Sequence, residues 1–136
     1  MRLIVFMEPE PKARARTIRM KSGAVGSYTP SKTVKAESMI RAAFMDSGLT
    51  KFAPKTPLKM RVIAYRSRPK SLPKMVTFPV TRPDADNYAK LVLDALNKFA
   101  FEDDSQIIEL VCEKRFGDPP RVEIEIEEIL TVGVIG

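Results

Sequence analysis

Apolar and polar residues alternate along several segments of the chain, and this alternation predicts its strands. A five-residue apolar run at 3–7 is followed by Pro9 and Pro11, which predicts a first strand that ends before these prolines. Residues 12–21 alternate with period two and place basic side chains on one face of a second strand. The glycines within 22–28 then predict a turn.

Two segments repeat their apolar residues at helical spacing. The first helix is predicted to begin at 29–31, where Pro30 and its two hydroxyl neighbours are typical of a helix start, and to end at Gly48. The second is predicted to begin at 84–87 and to continue to about Lys98. Its apolar face comprises Tyr88, Leu91, Val92, Ala95, Leu96 and Phe99.

Three further strands are predicted at 57–65, 106–116 and 121–130. From 122 to 127 valine and isoleucine alternate with glutamate, so one face of the last strand is expected to be buried and the other solvated. The resulting order, β-β-α-β-α-β-β, predicts an α+β fold in which two helices pack on a single mixed sheet. A length of 136 residues is typical of one domain, so we expect 1–136 to form a single domain.

The composition removes several classes of catalytic site. The chain has no histidine, so a Ser-His-Asp triad, a Cys-His dyad and a histidine-bearing zinc site are excluded. Its one cysteine, Cys112, cannot form an internal disulfide or a thiolate zinc cluster, and it indicates a reducing compartment. An enzyme with this sequence has to use carboxylates, lysine, tyrosine, hydroxyl groups or an oxygen-bound cation.

The charge is divided unevenly between the two halves of the chain. The formal net charge of +6 combines +14 in residues 1–82 with −8 in residues 83–136. Such asymmetry favours a nucleic acid or another anionic partner. Pairing of the two halves within one domain is the alternative explanation, and composition alone leaves both open.

Basic residues in two segments are candidates for DNA contact. Lys12, Arg14 and Arg16 share one face of the second strand, for which an ordinary solvated surface is the alternative. Residues 66–82 are predicted to form a long exposed loop with three prolines, which has little structural need for its basic side chains. The candidates in and beside this loop are Arg66, Arg68, Lys70, Lys74 and Arg82.

Acidic residues gather around the second helix. Asp84 precedes the helix and Asp86 lies four residues before Lys90, so a helix cap and a salt bridge worth about 0.3–0.5 kcal/mol explain this stretch without any chemistry. A second cluster, Glu-Asp-Asp at 102–104, follows the helix, and we expect the next strand to return beside the first helical turn and bring the two clusters together.

Gathered carboxylates normally hold a cation. At a separation of about 4 Å they repel by up to ~4 kcal/mol per pair at an effective dielectric near 20. Ligands that are all oxygen favour Mg²⁺ or Mn²⁺. In a basic protein such an ion favours phosphodiester hydrolysis, because it lowers the pKa of a bound water and takes the place of a histidine base. Lys90 would then stabilise charge on the phosphorus or hold the attacking water.

The sequence around the second helix resembles the RusA family of Holliday junction resolvases, which is of bacterial and prophage origin. The segments that carry the resemblance are Pro83-Asp84-Ala85-Asp86-Asn87, Lys90, Leu93-Asp94-Ala95-Leu96-Asn97 and Asp103-Asp104-Ser105-Gln106-Ile107. Weaker matches at 11–14, 28–30 and 122–124 extend the resemblance over most of the chain.

The resemblance implies a Mg²⁺-dependent endonuclease, for which Mn²⁺ is a possible substitute, that acts as a homodimer on branched DNA. Such an enzyme resolves four-way junctions by paired nicks during recombination and repair. By position, the resemblance implies Asp84, Asp86 and Asp104 as metal ligands, Lys90 as the essential lysine and Asp103 as an auxiliary acid.

Two other functions stay open on the sequence alone. One is a non-catalytic nucleic-acid-binding module whose acids are helix caps and salt bridges. The other is a basic subunit that docks on an acidic partner protein. We find neither an apolar run of membrane-spanning length nor a signal-peptide core, so we expect a cytoplasmic protein without a membrane partner.

Overall fold

The structure, a computed structural model, describes residues 1–14 and 16–130. Its strands are β1 (Arg2–Val5), β2 (Arg16–Arg19), β3 (Val25–Tyr28), β4 (Leu58–Arg66), β5 (Ile107–Phe116) and β6 (Arg121–Glu128). Its helices are α1 (Ser31–Asp46) and α2 (Ala85–Leu96), and a 3-10 turn covers Asp104–Gln106. In this part of the chain, neither helix is long and apolar enough to cross a membrane.

Four strands form a mixed sheet in the order β1-β6-β4-β5. Strand β4 is central, with β6 antiparallel on one side and β5 parallel on the other, and β1 pairs antiparallel with β6. Strand β5 therefore lies at an edge of the sheet. Its first residues are irregular, because Leu58 is opposite Ile107 but Lys59 is opposite Glu109, which leaves Ile108 as an extra residue in a bulge.

Both helices belong to one hydrophobic core with this sheet. The core takes alternate residues from the strands, such as Met60 and Val62 of β4 and Ile124 of β6. The helices contribute Ile40 of α1 and Leu91 of α2, which are almost completely buried. This arrangement confirms the α+β class, with two helices packed against a mixed sheet.

Strands β2 and β3 form a hairpin that is separate from the main sheet. The sequence pattern predicts one longer strand at 12–21 within a single sheet and only a turn at 22–28, so the structure differs here. Gly23 forms the turn with a φ of 84°. Gly26, in contrast, lies inside β3, where an added Cβ would be 2.8 Å from the Met20 methyl carbon. The flexible end of Met20 packs in the space that this glycine leaves. A glycine within a strand has the same sequence signal as a glycine in a loop, so the sequence pattern did not predict β3.

The opposite face of the sheet is charged. Arg61 of β4 pairs with Glu113 of β5 at 2.7 Å. Glu123 is buried between Arg2 and Arg121, at 2.9 and 2.8 Å, and the hydrogen bond from Arg2 is the main reason why the pKa of Glu123 lies below its usual range. The alternation in β6 predicts solvated glutamates, and Glu123 differs because the two arginines cover it.

Candidate active site

The N-terminal end of α2 carries Asp84, Asp86 and Lys90 at the surface. Asp84 is the residue that precedes the helix, but its side chain makes no capping hydrogen bond, so the simple cap interpretation does not account for it. Asp86 lies in the first turn, where the helix dipole stabilises a carboxylate. Lys90 Nζ lies 3.8 Å from Asp86 Oδ2, and both side chains are more than half exposed. A pair so exposed contributes little to stability.

Strand β5 holds the start of α2 in place. Lys114 Nζ donates hydrogen bonds to the carbonyl oxygens of Thr81 and Pro83, at 3.0 and 3.1 Å. Cys112 Sγ donates to the carbonyl oxygen of Ala85 at 2.7 Å, and burial raises the pKa of this thiol to about 11, so it keeps its proton. Lys114 was not among the residues predicted from the sequence, although its place two residues after Cys112 puts both on one face of the strand.

Lys12 joins the two helices. Its Nζ lies 2.7 Å from Glu37 of α1 and 2.8 Å from Asp94 of α2, and its backbone N–H donates to the carbonyl oxygen of Asn87. Burial alone would lower the pKa of Lys12, but the hydrogen bonds to the two carboxylates outweigh burial and raise it. The ammonium group of Lys12 is therefore engaged by these two carboxylates and is not available for the predicted DNA contact. In this structure Lys12 connects α1 and α2.

The second acidic group is ordered by its own hydrogen bonds. Asp103 caps the 3-10 turn, and the bonds that its carboxylate accepts from Ser105 lower the pKa of Asp103. The buried Gln106 accepts from the backbone N–H of Asp103 and donates to two carbonyl oxygens in the segment 53–56. Asp104 is exposed within this turn.

The two acidic groups lie at opposite ends of α2. The helix has 12 residues and is about 18 Å long, with Asp84 before it and Asp103 and Asp104 after it. Strand β5 does return beside the first helical turn, but its contact with Ala85 is made by Cys112, about 16 Å along the strand from Ile107. Asp103 and Asp104 therefore lie near the C-terminal end of α2, away from Asp84.

This separation decides how the implied metal ion fits. Within residues 1–14 and 16–130, no three acidic or cysteine side chains approach closely enough to hold one ion. The three predicted ligands, Asp84, Asp86 and Asp104, are therefore not brought together within the described part of one chain. The clusters that the sequence analysis expected to meet do not meet, because the topology of the sheet carries the second one away.

Two of the predicted DNA-contact arginines bind the loop that carries them. Arg68 donates hydrogen bonds to the carbonyl oxygens of Pro73 and Val76. Arg66, at the end of β4, donates to the carbonyl oxygen of Thr81 at 3.4 Å. Both side chains thus help to give the loop its shape, and Arg68 remains exposed.

Most of the other basic residues predicted to contact DNA have exposed side chains. Lys70, Lys74 and Arg82 are exposed, and among the described residues no carboxylate lies within ion-pair distance of them. Arg14 is exposed as well. The side chain of Arg16 lies outside the described part of the chain, so its contact with DNA stays a prediction.

An open cleft at the start of α2 brings acid and base together. It is lined by Pro11, Lys12, Arg82, Pro83, Asp84 and Asn87. The guanidinium of Arg82 matches the geometry of a phosphate group. The uncapped carboxylate of Asp84 lies in the same cleft and offers oxygen atoms to a hard cation.

Comparisons with known proteins identify the family of this chain. A family model described as "Endodeoxyribonuclease RusA" matches residues 7–127, a range that contains both acidic groups, the basic loop and the β2–β3 hairpin. The uncharacterized protein YqaN of Bacillus subtilis (strain 168) is 32% identical over 141 residues, which cover 92% of this chain and 94% of the relative. The chain therefore belongs to the RusA endodeoxyribonuclease family.

Proposed function

We propose that this protein is a structure-selective endodeoxyribonuclease that uses Mg²⁺ to resolve four-way DNA junctions by paired nicks. Membership of the RusA family supports nuclease activity on branched DNA. The observation that carries the proposal is the cleft at the start of α2, where the uncapped Asp84 lies with Arg82. A carboxylate in the same cleft as an exposed guanidinium suits a phosphodiester better than it suits a structural cap.

The residues of this cleft have separate roles in the proposal. Arg82 binds and orients the phosphate, and Lys90 neutralises a phosphate oxygen from the exposed side of α2. Asp84 and Asp86 supply carboxylate oxygens, which are the ligands that Mg²⁺ prefers and that Mn²⁺ also accepts. Lys70 and Lys74 extend the basic surface along the DNA backbone.

The separation of the acidic groups supports a homodimer as the active form. One chain leaves Asp104 at the far end of α2, away from Asp84. Two copies related by a two-fold axis offer the missing carboxylate twice, once to each site. We include this in the proposal: each site combines Asp84 and Asp86 of one chain with the partner's Asp104, and Asp103 acts beside it as an auxiliary acid. The two-fold symmetry of such a dimer also matches that of a four-way junction, which needs two matched cuts.

A cleavage assay with Asp84→Asn tests the proposed activity. With a labelled four-way junction and Mg²⁺ we expect the wild-type protein to introduce paired nicks. We expect the variant to bind the junction but to cleave at least about 100-fold more slowly. Asp118→Asn, which changes an exposed aspartate in the turn before β6, is the matched control and should cleave normally.

The same assay contains the results that would contradict the proposal. If the wild-type protein cuts no branched DNA in either Mg²⁺ or Mn²⁺, the enzymatic proposal fails. Tight junction binding without cleavage would then favour the non-catalytic DNA-binding module. Equal cleavage of the junction and of a linear duplex with the same sequence would leave a nuclease without the proposed selectivity.

A further inference from the structure

Strand β5 has no partner strand on its outer edge among residues 1–14 and 16–130. It has 10 residues and pairs with β4 on one side, whereas β1 at the other edge has 4 residues. Unpaired N–H and C=O groups along such an edge form a template for another strand. Soluble proteins usually protect an edge by charge, proline or short length, and the first half of β5 has little of this protection.

Exposed apolar side chains are concentrated in that first half. Ile108, Leu110 and Val111 are 66%, 44% and 43% exposed, and Glu109 is the charged residue among them. Residues 112–116 are half-buried, in part beneath the loop that leads into α2. The accessible part of the edge is therefore centred on residues 109–110.

Symmetry restricts how two copies of β5 can pair. Opposite residues of antiparallel strands share a face, so a two-fold axis normal to the sheet has to pass between a residue and its own copy. An axis at Glu109 or at Glu113 places a glutamate opposite itself, and an axis at Val111 places Glu109 opposite the partner's Glu113. Like charges directly opposite are unfavourable. Axes at Ile108, Leu110 and Cys112 avoid these contacts. Ile108 is the extra residue of the bulge and Cys112 lies in the half-buried part, so Leu110 is the position that remains.

We propose that the free edge of β5 binds β5 of a second copy of this chain, antiparallel, with Leu110 on the two-fold axis. In this register Leu110 packs against the partner's Leu110, and Glu109 faces the partner's Val111. The sheet then continues from one protomer into the other. The inference rests on the proposed homodimer and names the surface through which it forms.

The register also has a consequence for the site. Position 106 of the partner falls beside Lys114, whose ammonium group holds the Pro83 carbonyl next to Asp84. The end of the partner's 3-10 turn thus approaches the start of α2. Within one chain, the same turn and the start of α2 are separated by about 16 Å along β5.

A charge on the axis tests the surface. Leu110→Lys places two ammonium groups opposite each other, so we expect its native mass, measured by light scattering, to fall from dimer to monomer. Val34→Lys, which changes a half-exposed apolar residue of α1, is the matched control and should remain a dimer. If Leu110→Lys remains dimeric, another surface forms the dimer and this inference is overturned. A monomeric wild-type protein would overturn the homodimer as well, and cleavage of the junction reports on the nuclease separately.

Cross-linking tests the register without depending on a disruptive variant. In a Cys112→Ser background, Leu110→Cys should form a covalent dimer on mild oxidation or with a short bis-maleimide, because directly opposite residues place their Cβ atoms close to disulfide distance. The wild-type protein, whose one thiol is Cys112, should cross-link poorly. Efficient cross-linking through Cys112, with none through Leu110→Cys, would place the axis at Cys112 and overturn the proposed register.

Discussion

Lys12 and Asp84 line the same cleft at the start of α2, but their side chains have different surroundings. Lys12 is bound by Glu37 and Asp94, and Asp84 makes no capping bond. Lys12, which two carboxylates hold, contributes to the packing of α1 against α2. Asp84, whose carboxylate does not cap the helix, is available for a ligand.

We expect Lys12→Met to lower the free energy of unfolding by about 1–2 kcal/mol at neutral pH, because the partly buried Glu37 and the more exposed Asp94 lose their cation. The pKa of Lys12 is raised in the folded state above its ordinary value of 10.5. Its stabilisation is therefore fully present below pH 10.5 and is lost as the pH rises through the folded pKa. Urea unfolding of both proteins at pH 7.5 and above the folded pKa measures this. Lys35→Met on the exposed side of α1 should change little, and a penalty that persists at high pH would contradict the ion-pair account.

Arg82 should contribute to DNA binding where Lys12 does not. Replacing Arg82 with alanine removes one phosphate contact, so we expect the slope of log affinity against log salt to become shallower by about one, with weaker binding to every junction sequence. Lys12→Met should leave the slope unchanged. Fluorescence anisotropy with a junction across a salt series measures both, and equal effects of the two variants would contradict this division.

At the scale of elements, the buried Gln106 joins the acidic turn to the segment before β4. Its side chain accepts from two backbone N–H groups and donates to two carbonyl oxygens. We expect Gln106→Ala to cost about 1–3 kcal/mol and to speed hydrogen exchange at the amides of Glu102 and Asp103, because these donors lose their acceptor. Unchanged exchange at both amides would show that the turn does not depend on Gln106.

The helices could be predicted closely from the sequence. Regular apolar spacing placed α2 at 84–98 against an observed Ala85–Leu96, and it placed α1 with similar accuracy. A helix that buries one face against a sheet has to repeat its apolar residues with a period near 3.6, so the pattern records the packing directly. The hairpin strand β3 leaves no such record, because it buries almost nothing and contains Gly26.

The relation between the two acidic groups could not be predicted from the sequence. The two acidic groups flank α2 in the sequence, and the length of the helix separates them in space. The parallel pairing of β5 with β4 then determines which end of β5 lies beside Ala85. Strand order in a sheet depends on contacts between distant segments, which local patterns do not contain. Local patterns therefore indicate which residue types could form a site, but they do not give the distances between those residues.

At the scale of the whole molecule, both explanations of the uneven charge apply. Several basic residues of the first half pair with acids of the second half, as Lys12 does with Asp94, Lys51 with Glu102 and Arg61 with Glu113. These pairs account for part of the +14. The remaining basic side chains around the loop after β4 face solvent and form the surface that we propose for DNA.

The central claim is that two chains build each nuclease site, and mixing two inactive variants tests it most directly. Asp84→Asn and Asp104→Asn should each abolish cleavage alone. In a mixed dimer, one site combines both substitutions while the other combines the intact Asp84 of one chain with the partner's intact Asp104. We expect mixing, after subunit exchange is verified by mass, to restore nicking of a four-way junction in one strand. If the verified mixed dimer stays inactive while the wild-type protein cleaves, each chain builds its own site and the claim is contradicted.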